Sequence, residues 1–132
     1  MAKKENEGIS FMIAGRIPSK KNSRNIFVRG GRILNIPSAK YAAWHKDALT
    51  QVADIRKNYF LLENVEVTID FFAPDKRASD LSNKAESIMD LLVDAGILAD
   101  DNWWVVDKLI LNFRGVDKKN PGATVYIRKY GK

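Results

Sequence analysis

Residues 76–104 read KRASDLSNKAESIMDLLVDAGILADDNWW, and the rest of the chain is arranged around this stretch. Its apolar residues recur every three or four positions up to Gly96, which predicts an amphipathic helix over about Leu81–Ala95. Charged and amide side chains stand before the helix and in its first turn: Lys76, Arg77, Asp80 and Asn83. Two adjacent acids, Asp100 and Asp101, follow it. Carboxylates gathered in a basic protein cost electrostatic free energy unless basic partners or a shared cation neutralise them. The stretch therefore indicates a divalent-metal site and a phosphodiester substrate.

Composition restricts which metal such a site would hold. The 132 residues suffice for one domain with one core, and they contain no Cys and a single His. Disulfides and thiolate zinc sites are excluded, and a His-rich metal site or a Ser-His-Asp triad is not indicated. The ligands must then be oxygen atoms, which favours Mg²⁺ or Mn²⁺.

The chain shows no membrane or secretion signal. No apolar run approaches the length that a bilayer requires, and the N-terminal residues MAKKENEG lack an apolar segment after their charges. Residues 1–8 are charged and aperiodic, so we expect a disordered tail, followed by a single domain over residues 9–132. The expected location is the cytoplasm.

Periodicity along the chain predicts an α+β fold with a mixed β-sheet and two main helices. The first helix is expected to begin at the N-cap Ser38 and to run to about Lys57, with both helices on the same face of the sheet. The element order is β-ββ-α-β-α-β-β. Its strands are predicted at Ile9–Ile17, Ile26–Val28, Ile33–Ile36, Val65–Phe71, Trp103–Phe113 and Ala123–Lys129, with a tight turn at Gly30-Gly31.

Basic residues are concentrated in the N-terminal third. The formal charge is +6, and no acid interrupts the segment from Arg16 to Arg32. Contact with phosphates is the functional interpretation and an ordinary solvated loop is the structural one. The candidate DNA-binding residues are Lys20, Lys21, Asn22, Ser23, Arg24, Arg29 and Arg32, together with Lys76 and Arg77.

Several residues also have plain structural interpretations. Asp80 is suited to cap the helix, and one of its oxygens could do so while the other binds a cation. Asp90 and Asp94 are expected on a solvated helix face, and His45 is expected to be structural. Trp103 and Trp104 could stack on an unpaired base or pack a dimer interface, but neighbours on a strand face opposite sides, so we expect at least one to be buried.

Four features of the sequence occur together in a known family. They are Pro18 before a polar loop with Asn22, the run Asp80-Leu81-x-Asn83, the helix end Asp94-Ala95-Gly96, and Asp100-Asp101 before Val105-Val106. With them, the chain resembles the RusA family of Holliday-junction resolvases over about Ile13 to Arg128. The resemblance implies a RusA-like fold and a homodimeric endonuclease that depends on Mg²⁺ or Mn²⁺ and cuts branched, four-way DNA by paired incisions. The family's catalytic aspartates correspond to Asp80 and Asp101, with Asp100 as the neighbouring acid.

Two positions depart from the family pattern. Ser82 stands where the family usually has a second aspartate, and Glu86 stands where well-studied members have a catalytic lysine. Lys84 is about 200° around the helix from that position, and Lys20, Lys21 and Lys108 are other candidates for its role. Glu86 could instead return a carboxylate to the metal. The candidate catalytic residues are Asp80, Ser82, Asn83, Lys84, Glu86, Asp100 and Asp101, of which Asp80, Glu86, Asp100 and Asp101 are the candidate metal ligands.

These departures leave two alternatives to a metal-dependent junction endonuclease. One is a protein that binds branched DNA with weakened or lost catalysis, suggested by Ser82 and Glu86. The other is a single-strand or RNA-binding module that uses the basic hairpin and the aromatic residues.

Overall fold

The computed structural model describes residues 8–19, 24–29, 32–37, 39–58 and 64–130, with only the backbone described for 24–29, 32–37 and 56–58. Within these residues the elements follow in the order β1 (Ile9–Ala14), β2 (Arg24–Arg29), β3 (Arg32–Pro37), α1 (Ala39–Gln51), α2 (Ala53–Asn58), β4 (Val65–Ala73), α3 (Leu81–Asp94), β5 (Val106–Val116) and β6 (Gly122–Lys129). The α+β class and the order of elements are confirmed, with the first predicted helix divided in two. The tail up to Glu7, the turn Gly30-Gly31 and Ser38 lie outside the described residues.

Strand β4 is one of the two inner strands of a mixed sheet with the order β1-β6-β4-β5. It pairs with β6 in antiparallel fashion and with β5 in parallel fashion, so that Ile69 lies between Val125 and Leu111. Strands β2 and β3 form a separate antiparallel pair, in which Arg29 is opposite Arg32. The predicted mixed sheet is confirmed, and the basic hairpin is a second, two-stranded sheet.

One face of the large sheet carries the core. Val67, Ile69 and Val125 of the sheet are fully buried, as are Ile88 and Leu92 of α3, and all five belong to one apolar cluster. Helix α1 contributes Ala48 to the same cluster, which agrees with the expectation that the helices share a face. The predicted apolar stripe of α3 is confirmed, and Gly96 follows its C-cap with a φ of 75°, a left-handed conformation that glycine adopts without strain.

Several boundaries differ from the sequence prediction, and two of them change the interpretation of the residues involved. The first helix is interrupted at Val52, where the Ile55 amide donates to the Val52 carbonyl oxygen at 3.0 Å, a spacing tighter than that of an α-helix. Strand β5 begins at Val106 rather than at Trp103, because residues 103–105 form a turn. Trp103 and Trp104 consequently do not alternate across a strand, and both are exposed. The expectation that one of them is buried is wrong.

The opposite face of the sheet contains buried acids. Glu66 and Asp70 alternate with the core residues of β4, yet they are only 5% and 7% exposed. Arg128 Nε donates to Glu66 Oε2 at 2.5 Å, and Arg114 Nε lies 3.2 Å from Asp70 Oδ2. Long basic side chains from the neighbouring strands therefore cover and neutralise these carboxylates.

None of the helices in the described ranges is both long and apolar enough to cross a membrane.

The Glu66 ion pair should give the fold a distinct pH dependence. The hydrogen bond from Arg128 lowers the pKa of Glu66 below its ordinary value, although burial opposes this shift. A depressed carboxyl pKa contributes stability that is present above the unfolded-state pKa and is lost as the pH falls through the folded-state value. Glu66→Gln should therefore lower the melting temperature by a few degrees at pH 7, and the difference should shrink below about pH 4.5.

Thermal unfolding followed by circular dichroism between pH 3 and pH 7 would measure this difference. Glu86→Gln is the matched control, because Glu86 is an exposed acid whose carboxylate has no hydrogen-bond or ion-pair partner within the described ranges. Equal melting temperatures for Glu66→Gln and the wild type at pH 7 would contradict a stabilising role for the ion pair between Glu66 and Arg128.

Candidate metal and nucleic-acid site

Asp80 is the N-cap of α3, as its position in the sequence predicts. Its Oδ1 accepts hydrogen bonds from the Ser82 amide at 3.2 Å and from the Ser82 hydroxyl at 2.9 Å. Its Oδ2 accepts from Asn83 Nδ2 at 3.3 Å. The carboxylate is exposed and lies at the positive end of the helix dipole. Ser82 and Asn83 therefore hold the carboxylate in one orientation at the helix start.

The second pair of acids lies in a tightly hydrogen-bonded loop. Asp100 uses both oxygens within it, since Oδ1 accepts from the Asp101 amide at 2.7 Å and Oδ2 from Asn102 Nδ2 at 3.1 Å. The Trp104 amide in turn donates to Asn102 Oδ1 at 2.9 Å. The exposed carboxylate of Asp101 has no such partner in the part of the chain that the structure describes. Of the two acids, Asp101 is thus the one available to an external ligand.

The structure does not bring Asp80 and Asp101 together within one chain. They lie at opposite ends of α3, which has 14 residues and is therefore about 20 Å long. The amides of Val105 and Val106 bond to the Asn102 carbonyl oxygen, and the Val65 amide bonds to that of Val105, so the Asp101 loop stays at the start of β4 and β5. Asp80 follows the end of β4. The divalent-metal site predicted from residues 76–104 is therefore not assembled from Asp80 and Asp101 of one chain.

Glu86 is exposed on α3 and joins neither acid. Within the described ranges, the group of three His, Asp or Glu side chains whose possible ligand atoms lie within 4.8 Å of one another is His45, Asp90 and Asp94. Tyr41 OH donates to Asp90 Oδ2 at 2.7 Å, and His45 Nε2 lies 2.8 Å from Asp94 Oδ2. Of the two acids expected on a solvated face, Asp94 is exposed and Asp90 is half-buried, and both contact α1.

A cleft of about 550 Å³ opens beside Asp80, at the ends of β4 and β5. Apolar side chains line part of it, including Phe113, which is 61% exposed. Four basic residues and one acid line the rest: Arg16, Lys76, Arg77, Lys84 and Asp75. The cleft therefore combines an apolar wall with a net positive charge, next to the carboxylate at the helix start.

Asp75 organises the cations at the rim of the cleft. It accepts hydrogen bonds from the Arg77 amide at 3.0 Å and from Arg77 Nε at 3.2 Å, and it forms an ion pair with Arg16. The hydrogen bonds of Arg77, and then that of Arg16, hold the pKa of Asp75 well below its usual range. Sequence reasoning missed Asp75, although the spacing Asp75-Lys76-Arg77 is typical of an Asp turn.

Lys84 lies on the wall of the cleft rather than on the outer face of α3. Its Nζ donates to the Ile17 carbonyl oxygen at 2.5 Å, and one turn further along Ser87 Oγ donates to the Pro18 carbonyl oxygen at 2.6 Å. Burial lowers the pKa of Lys84 below its ordinary value, and the nearby cations, Arg16 first, lower it further. A lysine thus reaches this cleft, although it does not stand at the position of Glu86.

The other candidate DNA-binding residues are only partly described. Lys76 and Arg77 are exposed at the cleft, whereas Arg24, Arg29 and Arg32 lie on β2 and β3 with their backbone alone described. Lys20, Lys21, Asn22 and Ser23 lie outside the described residues.

Most of the chain matches a known family. Residues 17–128 match the sequence model described as "Endodeoxyribonuclease RusA". A curated relative, the crossover junction endodeoxyribonuclease RusA of Aquifex aeolicus (strain VF5), is 23% identical over 115 residues, which cover 87% of each chain. A solved structure of 2C-methyl-D-erythritol 2,4-cyclodiphosphate synthase from Plasmodium vivax aligns over 93% of this chain and 97% of its own, at 10% identity and a TM-score of 0.33, a likeness too weak to carry an argument. Because the family model covers well over half of its length, the chain belongs to the RusA family of endodeoxyribonucleases.

Proposed function

We propose that this protein is a divalent-metal-dependent endonuclease that resolves four-way DNA junctions by paired phosphodiester cleavage. The observation that carries the proposal is the exposed Asp80 carboxylate, held by Ser82 and Asn83 beside a cationic cleft. Membership of the RusA family and the name of the Aquifex relative support the junction as substrate. The proposed location is the cytoplasm, where such DNA would be met.

The oxygen ligands of the proposed site suit Mg²⁺ or Mn²⁺. Asp80 and Asp101 are exposed carboxylates, and a small hard cation is commonly held by one or two carboxylates with water and phosphate completing its shell. Asp100 and Glu86 are the further candidates, although both oxygens of Asp100 already serve its loop. When bound, the cation supplies Lewis-acid activation of water and neutralisation of charge.

The remaining residues have roles that need no metal. Arg77 and Lys84 place positive charge in the cleft, where a DNA phosphate beside Asp80 would be neutralised. The hydrogen bonds of Ser82 and Asn83 keep the Asp80 carboxylate turned in one direction, so no rearrangement of that side chain is required when substrate arrives. Asp75 restrains Arg77, which reduces the entropy lost when the guanidinium contacts a phosphate.

Two copies of the chain would form the working unit. Since about 20 Å of helix separates Asp80 from Asp101, one chain does not offer both acids to one ion. In a two-fold dimer the start of α3 in one copy can lie against the Asp101 loop of the other. Paired incision also requires two sites, which such a dimer has.

A second candidate is a junction-binding protein that does not cut. The Ser82 hydroxyl donates a hydrogen bond to Asp80 Oδ1, an oxygen that would otherwise be open to a cation. Position 82 itself holds no aspartate that could provide a second carboxylate. This candidate predicts tight junction binding without incision at any Mg²⁺ or Mn²⁺ concentration. A module for single strands would instead prefer single-stranded DNA to junctions.

Asp80→Asn tests the first proposal. We expect a loss of junction cleavage of at least about 100-fold, because the substitution removes a charged ligand, while the affinity for the junction is kept or increased, because a negative charge near DNA is removed. Cleavage of a labelled four-way junction in Mg²⁺ and a gel-shift assay in EDTA would measure the two effects. Asp54→Asn is the control and should cleave normally, because Asp54 is an exposed aspartate of α2 that does not line the cleft. Wild-type cleavage by Asp80→Asn would rule out its role.

Mixing two inactive variants tests whether the site is shared. In a dimer of Asp80→Asn with Asp101→Asn, a shared arrangement leaves one site with both substitutions and one site with neither. We therefore expect the mixture to nick junctions although each variant alone does not. The control is each variant assayed separately at the same total protein concentration. If co-expressed, purified mixed dimers remain inactive, each site belongs to one chain.

A further inference from the structure

Phe113 exposes an aromatic ring at the edge of the large sheet. It stands opposite Phe71 in the parallel pairing of β5 with β4, so the two side chains lie on the same face of the sheet. Phe71 is 5% exposed and belongs to the core, whereas Phe113, on the last strand of the sheet, is 61% exposed. Single exposed apolar side chains are common on protein surfaces, so the meaning of Phe113 depends on what surrounds it.

Phe113 lines the cleft of about 550 Å³ beside Asp80. Val116, which is exposed, and Leu81, which is half-buried, contribute further apolar surface to the same cleft. The volume lies within the range of roughly 300–1,000 Å³ that is typical of small-ligand sites. The cleft therefore has an aromatic wall and room for a flat group against it.

Cations face this wall. Four basic residues and one acid line the cleft, and the acid, Asp75, is already paired with Arg77 and Arg16. Lys84 Nζ gives one of its three hydrogens to the Ile17 carbonyl oxygen, which leaves two for a ligand. A ligand suited to the cleft thus combines a flat apolar part with negative charge.

A DNA nucleotide has both of these parts. Its base presents a π-face to an aromatic side chain, and its phosphate accepts hydrogen bonds from arginine and lysine. Both faces of a base inside a duplex are covered by neighbouring bases, so a base has to leave the stack before it can contact an aromatic side chain. The cleft is therefore suited to an unstacked nucleotide rather than to continuous duplex.

Branch points supply unstacked bases at the lowest cost. Removing a base from an intact duplex costs stacking and pairing free energy, and this cost is smallest where pairing or stacking is already disturbed. Strands exchange partners at a four-way junction, so the bases beside the crossing lack the continuous stacking of a duplex. An aromatic cleft next to the site of cleavage would favour junctions over duplexes for this reason.

We propose that the cleft beside Asp80 holds one unstacked nucleobase from the branch point, with the face of the base on Phe113 and its phosphate on Arg77 and Lys84. Phe113 is then the residue that selects branched over continuous DNA, because the cations attract DNA of any form. Stacking tolerates every base, so the selection is for structure and not for sequence. This assignment rests on the proposed function, since it takes DNA beside Asp80 as the ligand.

Junctions that carry 2-aminopurine at the branch point report the unstacking directly. The fluorescence of this base analogue is quenched while it is stacked between bases and rises when it leaves the stack. In EDTA, where no strand is cut, the wild type should raise this fluorescence at least about threefold, whereas Phe113→Ala should leave it nearly unchanged. The same analogue placed well inside one arm is the control and should not respond.

Affinities measured by fluorescence anisotropy in EDTA test the selection. Phe113→Ala should bind junctions at least about fivefold more weakly and duplexes as the wild type does. Phe113→Tyr keeps the ring and should bind like the wild type. Phe113→Leu keeps an apolar side chain without a flat face and should behave like Phe113→Ala, which separates stacking from a merely structural contribution. Circular dichroism melts establish that the variants are folded.

Two further variants serve as comparisons. Tyr126→Ala is the matched control, because Tyr126 is an exposed aromatic residue that does not line the cleft, and this variant should retain both the fluorescence change and the junction preference. Arg77→Gln should weaken the binding of junctions and duplexes together. It should also reduce the slope of log affinity against log salt concentration by about one, as expected for the loss of one phosphate contact.

Three results would overturn the assignment. They are a wild type that leaves the branch-point fluorescence unchanged, a Phe113→Ala variant that binds junctions as tightly as the wild type, and an equal loss of junction and duplex affinity in that variant. Asp80→Asn should raise the fluorescence like the wild type. A protein that unstacks the base through Phe113 but never cuts would refute the proposed nuclease and support the nucleotide cleft, so the two failures are distinguishable.

Discussion

The parallel pairing of β4 with β5 is the constraint on which the remaining arrangement depends. Antiparallel neighbours can be joined by a short turn, but a parallel neighbour requires the chain to travel back along the sheet, and α3 makes that return. The helix must therefore begin where β4 ends and finish where β5 begins. Its burial against the sheet through Ile88 and Leu92 fixes this direction. The crossing therefore determines where Asp80 lies at the start of the helix and where Asp100 and Asp101 lie after its end.

The charge pattern follows from the same arrangement. At the end of β4, Asp75 and the start of α3 collect Arg16, Arg77 and Lys84 around one cleft. At the opposite end, the return loop carries two acids and two tryptophans with no basic residue among them. The segments at the two ends of α3 thus carry opposite charge.

Local periodicity sufficed to predict β4, α3 and its end at Gly96, because each depends on residues within a few positions. Features that depend on distant partners were not predictable in this way. Glu66 is buried because Arg128, 62 residues away, covers it, and Lys84 enters the cleft because it bonds to Ile17, 67 residues away. The tryptophans were assigned to a strand because nothing in their own pattern reveals that the Asn102 side chain closes a turn. The two candidate acids are close in sequence, but the helix between them places them about 20 Å apart, at the ends of two adjacent strands.

The bonds from Lys84 and Ser87 to the carbonyl oxygens of Ile17 and Pro18 have a mechanical consequence. The helix that carries Asp80 also clamps the backbone just before the basic segment that begins at Lys20. Both side chains are on α3, one on each side of Ala85, which is itself buried in the core. A displacement of the helix start would therefore act directly on Ile17 and Pro18, which precede that segment. The position of Asp80 and the path of the backbone that leads into the basic segment would then change together.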